Sequence, residues 1–243
     1  MDETARELAT ILVSKLGSIP PNARLLVAIA GFPASGKSTL AVLVVDHVNT
    51  LLANANAEHS CATPFPQAIM IGLDGWHLTR AQLDAMDNPK LAHDRRGAHW
   101  TFDGQSYASF AQLLRAPVSE EDTAVITAPS FDHALKDPTP DAVAVHRHHR
   151  IVVIEGLYTM LDVDVWRAAA EAMDERWWVD ADWEVARARL IKRHVLTGIA
   201  KDIQEANWRA DENDGPNGKF IVENLYKPTR KVRSIDDPLY TLP

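Results

Sequence analysis

LLVAIAGFPASGKSTL, residues 25–40, decides the fold. A short apolar run containing β-favouring Val27 and Ile29 gives way to Gly31, four variable residues, Gly36, Lys37 and Ser38, and the apolar helical stretch Leu40 to Val48 follows. This is the spacing of a phosphate-binding loop between a strand and a helix. Gly31 and Gly36 let the backbone curl so that successive N–H groups turn inward, and the positive end of the helix beginning near Lys37 adds to the same anion cup. Candidate nucleotide contacts are therefore Gly31, Phe32, Pro33, Ala34, Ser35, Gly36, Lys37, Ser38 and Thr39. Lys37 is placed to reach the terminal phosphates, Ser38 to ligate Mg²⁺ and Thr39 to meet the inner phosphate. Gly and Ser clusters also make ordinary turns, but the flanking strand and helix favour the phosphate reading.

The chain has 243 residues, 46% of them hydrophobic, which suits one large α/β domain over residues 1–243. A net charge of −8 disfavours nucleic acid and anionic membrane as partners. A single cysteine, Cys61, rules out an internal disulfide and a multi-cysteine zinc site, and reads as an inert loop thiol. The first seventeen residues are acidic at their start and repeat Leu8, Leu12 and Leu16 at a spacing of four, so they read as a packed helix and not as a targeting peptide. With no run of membrane-spanning length, the cytoplasm is the expected location.

Apolar runs at Leu25–Ala30, Ala68–Leu73, Ala124–Ala128, Ile151–Ile154 and Arg176–Val179 predict five strands, and helical patterns separate most of them. The rhythm predicts a mostly parallel five-stranded sheet with helices on both faces, with a departure around residues 124–145 that suggests a hairpin. Residues 78–103 show no sustained apolar period and read as a loop across the active edge, ending at Asp103 as a helix N-cap. The C-terminal stretch is too rich in proline and charge to assign an element: it either wraps a nucleotide base or packs on the surface.

Ligands of open parallel sheets bind beyond the carboxyl ends of the strands. Three strands end in candidate chemistry: one at the glycine-rich loop, one at Asp74 and one at Glu155. Phosphoryl transfer needs an oriented acceptor, a group for its proton and cations to offset charge. Asp74 is the candidate acceptor-orienting base, and Glu155 helps place Mg²⁺ or hold the acceptor. Arg189 and Arg193 share a helical face at i, i+4 and are candidate phosphate clamps, followed by Gly198 as a lid hinge. Exposed arginine is equally the ordinary state of a solvated face. Phe131, Asp132 and His133 suit either a small polar substrate or a local turn. The run HRHHR, residues 146–150, is read as a solvated lead-in to a strand, its adjacent histidines pointing apart. Trp177 and Trp178 are expected to pack on opposite faces of their strand.

Taken in order, GFPASGKS, LDGWHL, RRGAHWTFD, PSFDHALKDP, VVIEGLY and RARLIKRHVLTG resemble the P-loop kinases of small metabolites that include uridine kinase, phosphoribulokinase and bacterial-type pantothenate kinase. The likeness runs from about residue 25 to 225 and is nearest to fungal and bacterial ATP-dependent kinases that carry these motifs together. It implies a three-layer α/β kinase fold with a small helical lid over about residues 194–217. It also implies ATP and Mg²⁺ as cofactors, and a small metabolite hydroxyl, nucleoside-, vitamin- or sugar-like, as acceptor. By the same resemblance Asp74, Lys37 and Arg193 are catalytic, and Ser38 and Glu155 organise the metal. Asp74, His77, Arg96, Phe131, His133 and Glu155 face the substrate, with Asn213 and Asn217 as polar contacts from the lid. Trp76 stands where the family often has Phe or Ser, and residues 131–138 lack the form found in uridine kinases, so uridine is not favoured. A monomer or homodimer is expected. A P-loop regulatory ATPase or a nucleotide-binding pseudokinase remains the alternative.

Overall fold

The computed structural model of the chain describes residues 1–59, 65–118, 125–132 and 135–237. Cys61 and His133, and with them the expectations of an inert thiol and a substrate-side imidazole, lie outside the described residues.

The elements run α1 (Asp2–Leu16), β1 (Leu25–Gly31), α2 (Lys37–His59), β2 (Gln67–Gly72), α3 (Arg80–Asp84), α4 (Pro89–Asp94), α5 (Gly104–Arg115), β3 (Ile126–Asp132) and β4 (Asp137–Val145). They continue with β5 (His149–Glu155), α6 (Asp164–Glu171), β6 (Glu175–Asp180), α7 (Trp183–Leu196), α8 (Ile203–Arg209), a π-helical turn (Ala210–Asp214), α9 (Gly215–Glu223) and β7 (Arg230–Arg233). Five strands form one parallel sheet in the order β2-β5-β1-β6-β7. Strand β1 is buried along its whole length, as a central strand covered on both faces must be.

Alternation along β1 divides the core in two. Leu26, Ala28 and Ala30 face a layer built on Trp76, Tyr107, Tyr158 and Trp166. Leu25, Val27 and Ile29 face α1 and α2 through Leu8, Leu12, Leu40 and Val44. Trp177 and Trp178 fall in opposite layers, as their adjacent positions in β6 require.

Two expectations need correction. The run at 124–128 contributes no strand to the main sheet: its described part begins β3, which pairs antiparallel with β4 as a separate two-stranded ribbon. The fifth sheet strand is instead β7, whose sequence RKVR carries one buried residue, Val232, because it is an edge strand. Residues 78–103 are also more than a loop. Thr79 caps α3 with Gln82 in a reciprocal capping box, and Asn88 caps α4 ahead of Pro89, so polar local chemistry makes helices too short to show an apolar period.

The ribbon presses on the turn that carries Asp74. A Cβ at Gly75 would collide with the Pro129 carbonyl oxygen of β3. Gly75→Ala is therefore expected to cost about 1–3 kcal/mol. That corresponds to a fall of roughly 2–4 °C in thermal midpoint for each kcal/mol in a chain of this size. Scanning calorimetry checks this, and an unchanged midpoint would mean that the ribbon does not press on the turn.

Candidate active site

The register of the sheet assembles the site. Ile29 lies opposite Glu155 in the β1–β5 ladder, and Glu155 lies opposite Gly72 in the β5–β2 ladder. β5 and β2 therefore end level with one another, and β1 runs two residues further: the glycine-rich loop leaves β1 at Gly31, Glu155 ends β5, and a 3₁₀ turn (Leu73–Trp76) puts Asp74 just beyond β2.

In the loop, Ala34 and Gly36 adopt positive φ (61° and 90°), and Ser35 N–H donates to the Phe32 carbonyl at 3.0 Å. Positive φ at two positions two residues apart curls the backbone into the anion-binding concavity expected of the motif. A Cβ at Gly31 would lie 2.6 Å from Ser35 Oγ, so the first glycine is required by close approach. Phe32 turns away from the cup and packs edge-on against Trp178 and Trp183, with ring centroids 5.5 and 5.6 Å apart.

Ser38 Oγ donates to Glu155 Oε2 at 3.0 Å. Burial pushes the Glu155 carboxyl above the ordinary glutamate range, against the opposing pull of Lys37 and the Ser38 hydroxyl; nearby Asp74 pushes it in the same direction as burial. Burial lowers the Lys37 ammonium, and Arg193 adds to that effect while Glu155, Asp74 and Asp214 oppose it. Lys37, Glu155, Asp74, Arg193 and Asp214 thus share one electrostatic environment. The oxygens of Ser38 and Glu155 fit Mg²⁺, a hard cation that takes oxygen ligands. Among the described residues no cluster of three or more His, Cys, Asp or Glu side chains is arranged to hold a metal ion.

A cleft of about 800 Å³ extends from Lys37, Ser38 and Thr39 along α7, past Arg189 and Arg193, to Ile235 and Asp236. The two arginines on α7 differ. Arg189 is bound to Ser234 Oγ (3.1 Å) and Asp236 (3.1 Å), and Ser234 Oγ donates to the loop carbonyl of Ser35 at 2.8 Å. Arg189 thereby ties the segment after β7 to the phosphate loop, whereas Arg193 makes no side-chain hydrogen bond or ion pair among the described residues.

On the Asp74 side, His77 Nδ1 lies 2.9 Å from the Asp74 carbonyl, and its ring packs against Phe102 (3.9 Å) and Phe131 (4.9 Å). The residue types of LDGWHL and PSFD thus meet in space. Arg96 is engaged with the scaffold: it donates to the Lys136 carbonyl (2.6 Å), the Leu78 carbonyl (2.9 Å) and Asp137 (3.1 Å), and lies over the Phe131 ring. It ties the ribbon to the Asp74 turn. Asn213 Nδ2 donates to the Arg96 carbonyl at 3.1 Å, and Asn217 Nδ2 to Asn213 Oδ1 at 3.3 Å. Asn213 therefore joins the π turn to this segment, and Asn217 in turn supports Asn213. Asp214, which follows Asn213 in the π turn, is paired with buried His194 at 3.0 Å, a contact the sequence spacing of twenty residues does not reveal. π turns within helices recur at functional sites.

The three histidines of HRHHR do not point apart. Their ring centroids lie 4.3–5.6 Å from one another, because the chain turns back between β4 and β5 instead of running extended.

The model of the Phosphoribulokinase / Uridine kinase family matches residues 26–198, the span from β1 to just beyond α7. The chain belongs to this family. It is 48% identical over 152 residues to the ATP-dependent kinase-like protein notR' of Aspergillus versicolor, covering 63% of this chain and 88% of that protein. A Schizosaccharomyces pombe protein with the provisional name uridine kinase C227.14 is 34% identical over 205 residues, 84% of this chain and 81% of the relative. The crystal structure of YFH7 from Saccharomyces cerevisiae matches in fold with a TM-score of 0.77 at 23% identity, over 97% of this chain and 98% of that one. The P-loop kinase architecture implied by the motifs is therefore the architecture found.

A carboxyl held above its ordinary pKa binds its proton more tightly in the folded state than in the unfolded chain, so folding stability falls as pH rises from the ordinary glutamate value through the raised one. Glu155→Gln is expected to remove that slope and to raise the thermal midpoint of the nucleotide-free protein at neutral pH. Melting curves between pH 4 and 8 for both proteins check this; parallel pH dependences would show that Glu155 is not held in an unfavourable charged state.

Proposed function

We propose that the protein is an ATP- and Mg²⁺-dependent kinase that phosphorylates a hydroxyl group of a small metabolite. The observation that supports this reading is the meeting of Lys37, Ser38, Glu155, Asp74 and Arg193 in one electrostatic environment at the carboxyl edge of the sheet. ATP is proposed to lie along the cleft beside α7 with its phosphates in the glycine-rich loop. Ser38 and Glu155 would hold Mg²⁺, which supplies positive charge to the β- and γ-phosphate oxygens. Asp74 orients the acceptor hydroxyl and takes its proton as the oxygen bonds to the γ-phosphorus and the bond to the bridging oxygen breaks, leaving ADP. Lys37 and Arg193 offset the charge on the transferring group.

The family includes kinases with different acceptors, and His77, Phe102 and Phe131 supply an aromatic wall beside Asp74 without naming the acceptor. A regulatory ATPase would share the loop but has no use for an exposed carboxylate and an aromatic wall at the end of β2. We place the activity in the cytoplasm, carried out by a monomer or homodimer without nucleic acid or membrane. Among the described residues no helix is long and apolar enough to cross a membrane.

Asp74→Asn is expected to bind Mg-ATP with unchanged affinity and to lose phosphoryl transfer by about a hundredfold or more, as for loss of a general base. Lys37→Ala is expected to weaken both ATP binding and turnover. ADP release measured against a panel of nucleosides, vitamins, sugars and hydroxy acids, with product mass confirmed, tests both. Full transfer by the Asp74 variant, or ADP release indifferent to every acceptor, would overturn the kinase assignment.

A further inference from the structure

The RRG motif holds two arginines with opposite fates. Arg96 spends its guanidinium on the ribbon and on the turn that carries Asp74. Arg95, at the C-terminal end of α4, makes no side-chain hydrogen bond or ion pair among the described residues, and its Nε is buried without a partner. A half-buried guanidinium whose Nε is withdrawn from water, and whose donors meet no acceptor among the described residues, keeps its planar fork available to a ligand. Its neighbours place it on the acceptor side of the site. The Arg96 carbonyl is held by lid Asn213, the Gly97 carbonyl accepts from Tyr158 Oη at 3.0 Å, and Tyr158 lies three residues beyond Glu155. Arg95 is near enough to the Tyr158 hydroxyl to lower its pKa, opposing the larger upward effect of burial. It does not line the cleft that runs along α7.

We propose that Arg95 binds an anionic group of the acceptor, a carboxylate or a phosphate, so that the kinase acts on a hydroxy acid or a phosphorylated polyol in preference to an uncharged nucleoside or sugar. Planar bidentate recognition of such groups is what guanidinium does best. The inference rests on the kinase reading for its meaning, but the binding it describes can be measured without turnover.

The experiment uses the full chain with matched acceptors that differ in charge: glycerate, glycerol 3-phosphate and glycerol; pantothenate and its alcohol; ribose 5-phosphate and ribose; and uridine. Turnover is followed by ADP release, and binding by calorimetry in the presence of Mg-ADP. The expected result is that a charged member is preferred over its neutral partner, the carboxylate and phosphate arms telling which anion is read. Arg95→Met should then raise KM for that acceptor about ten- to a hundredfold, the loss expected for a charge-assisted hydrogen-bond pair, with KM for ATP unchanged. Arg95→Lys should recover part of the loss. Because Arg95 has no hydrogen-bond or ion-pair partner among the described residues, neither variant should lower the thermal midpoint.

Preference for a neutral acceptor with an unchanged KM in Arg95→Met would overturn the proposal. So would the absence of any charge-dependent turnover or binding across the panel, a rise confined to KM for ATP, or a fall in midpoint without a change in KM. Arg95-dependent binding of an anion by a chain that never transfers phosphate would sustain this inference and sink the kinase reading.

Discussion

Two parallel ladders, β1 with β5 and β5 with β2, impose the constraint on which the site depends. They set Ile29, Glu155 and Gly72 level, so that β5 and β2 give up their regular hydrogen bonds at the same height while β1 continues beside β6 to Gly31. Shifting β5 by one residue would turn Glu155 to the other face of the sheet and bring Gly156 into its place. The core guards against this. Val152 and Ile154 belong to one hydrophobic layer, Ile151 and Val153 to the other, so any one-residue slip would exchange both sets at once. The packing that stabilises the sheet therefore also fixes the contact between Ser38 and Glu155.

What the sequence reveals follows from the same geometry. Asp74 and Glu155 are legible because each sits just beyond the end of an apolar run, and Lys37 and Ser38 because the spacing of Gly31 and Gly36 after such a run marks them. Strand β7 is not, since an edge strand needs only Val232 buried and otherwise looks like exposed basic chain. Nor is the membership of β3, whose apolar residues satisfy a ribbon laid against the Asp74 turn as well as they would satisfy a sheet. RRG displays two adjacent cations and gives no sign of which one the ribbon engages. That choice depends on the carbonyls of Leu78 and Lys136 meeting Arg96, contacts over 18 and 40 residues.

The segment from α8 to α9 is joined to both halves of the site. Its helix α9 meets the glycine-rich loop where Gly218 approaches Phe32: a Cβ at Gly218 would lie 2.8 Å from the Phe32 ring. Phe220 stacks on His99 with centroids 4.4 Å apart, and Asn213 grips the Arg96 carbonyl. The His194–Asp214 pair ties the end of α7, one residue after Arg193, to the π turn between α8 and α9.

These attachments link α7, which carries Arg193, to the segment that carries Arg95 and Arg96. Any rotation of α7 that carries Arg193 toward or away from Lys37 must either drag the π turn through His194 or break a largely buried pair, and the π turn carries Asn213 and its hold on the residues next to Arg95. Breaking that pair would leave Asp214 without its partner among buried groups, which is the costly alternative. Movement as a unit is favoured, and Gly198, at a φ of +69° with open space around it, lies just beyond α7 where such a movement can be absorbed. The His194–Asp214 contact and the hold of Asn213 on the Arg96 carbonyl thus link the end of α7 to the segment that carries Arg95 within one short stretch of chain.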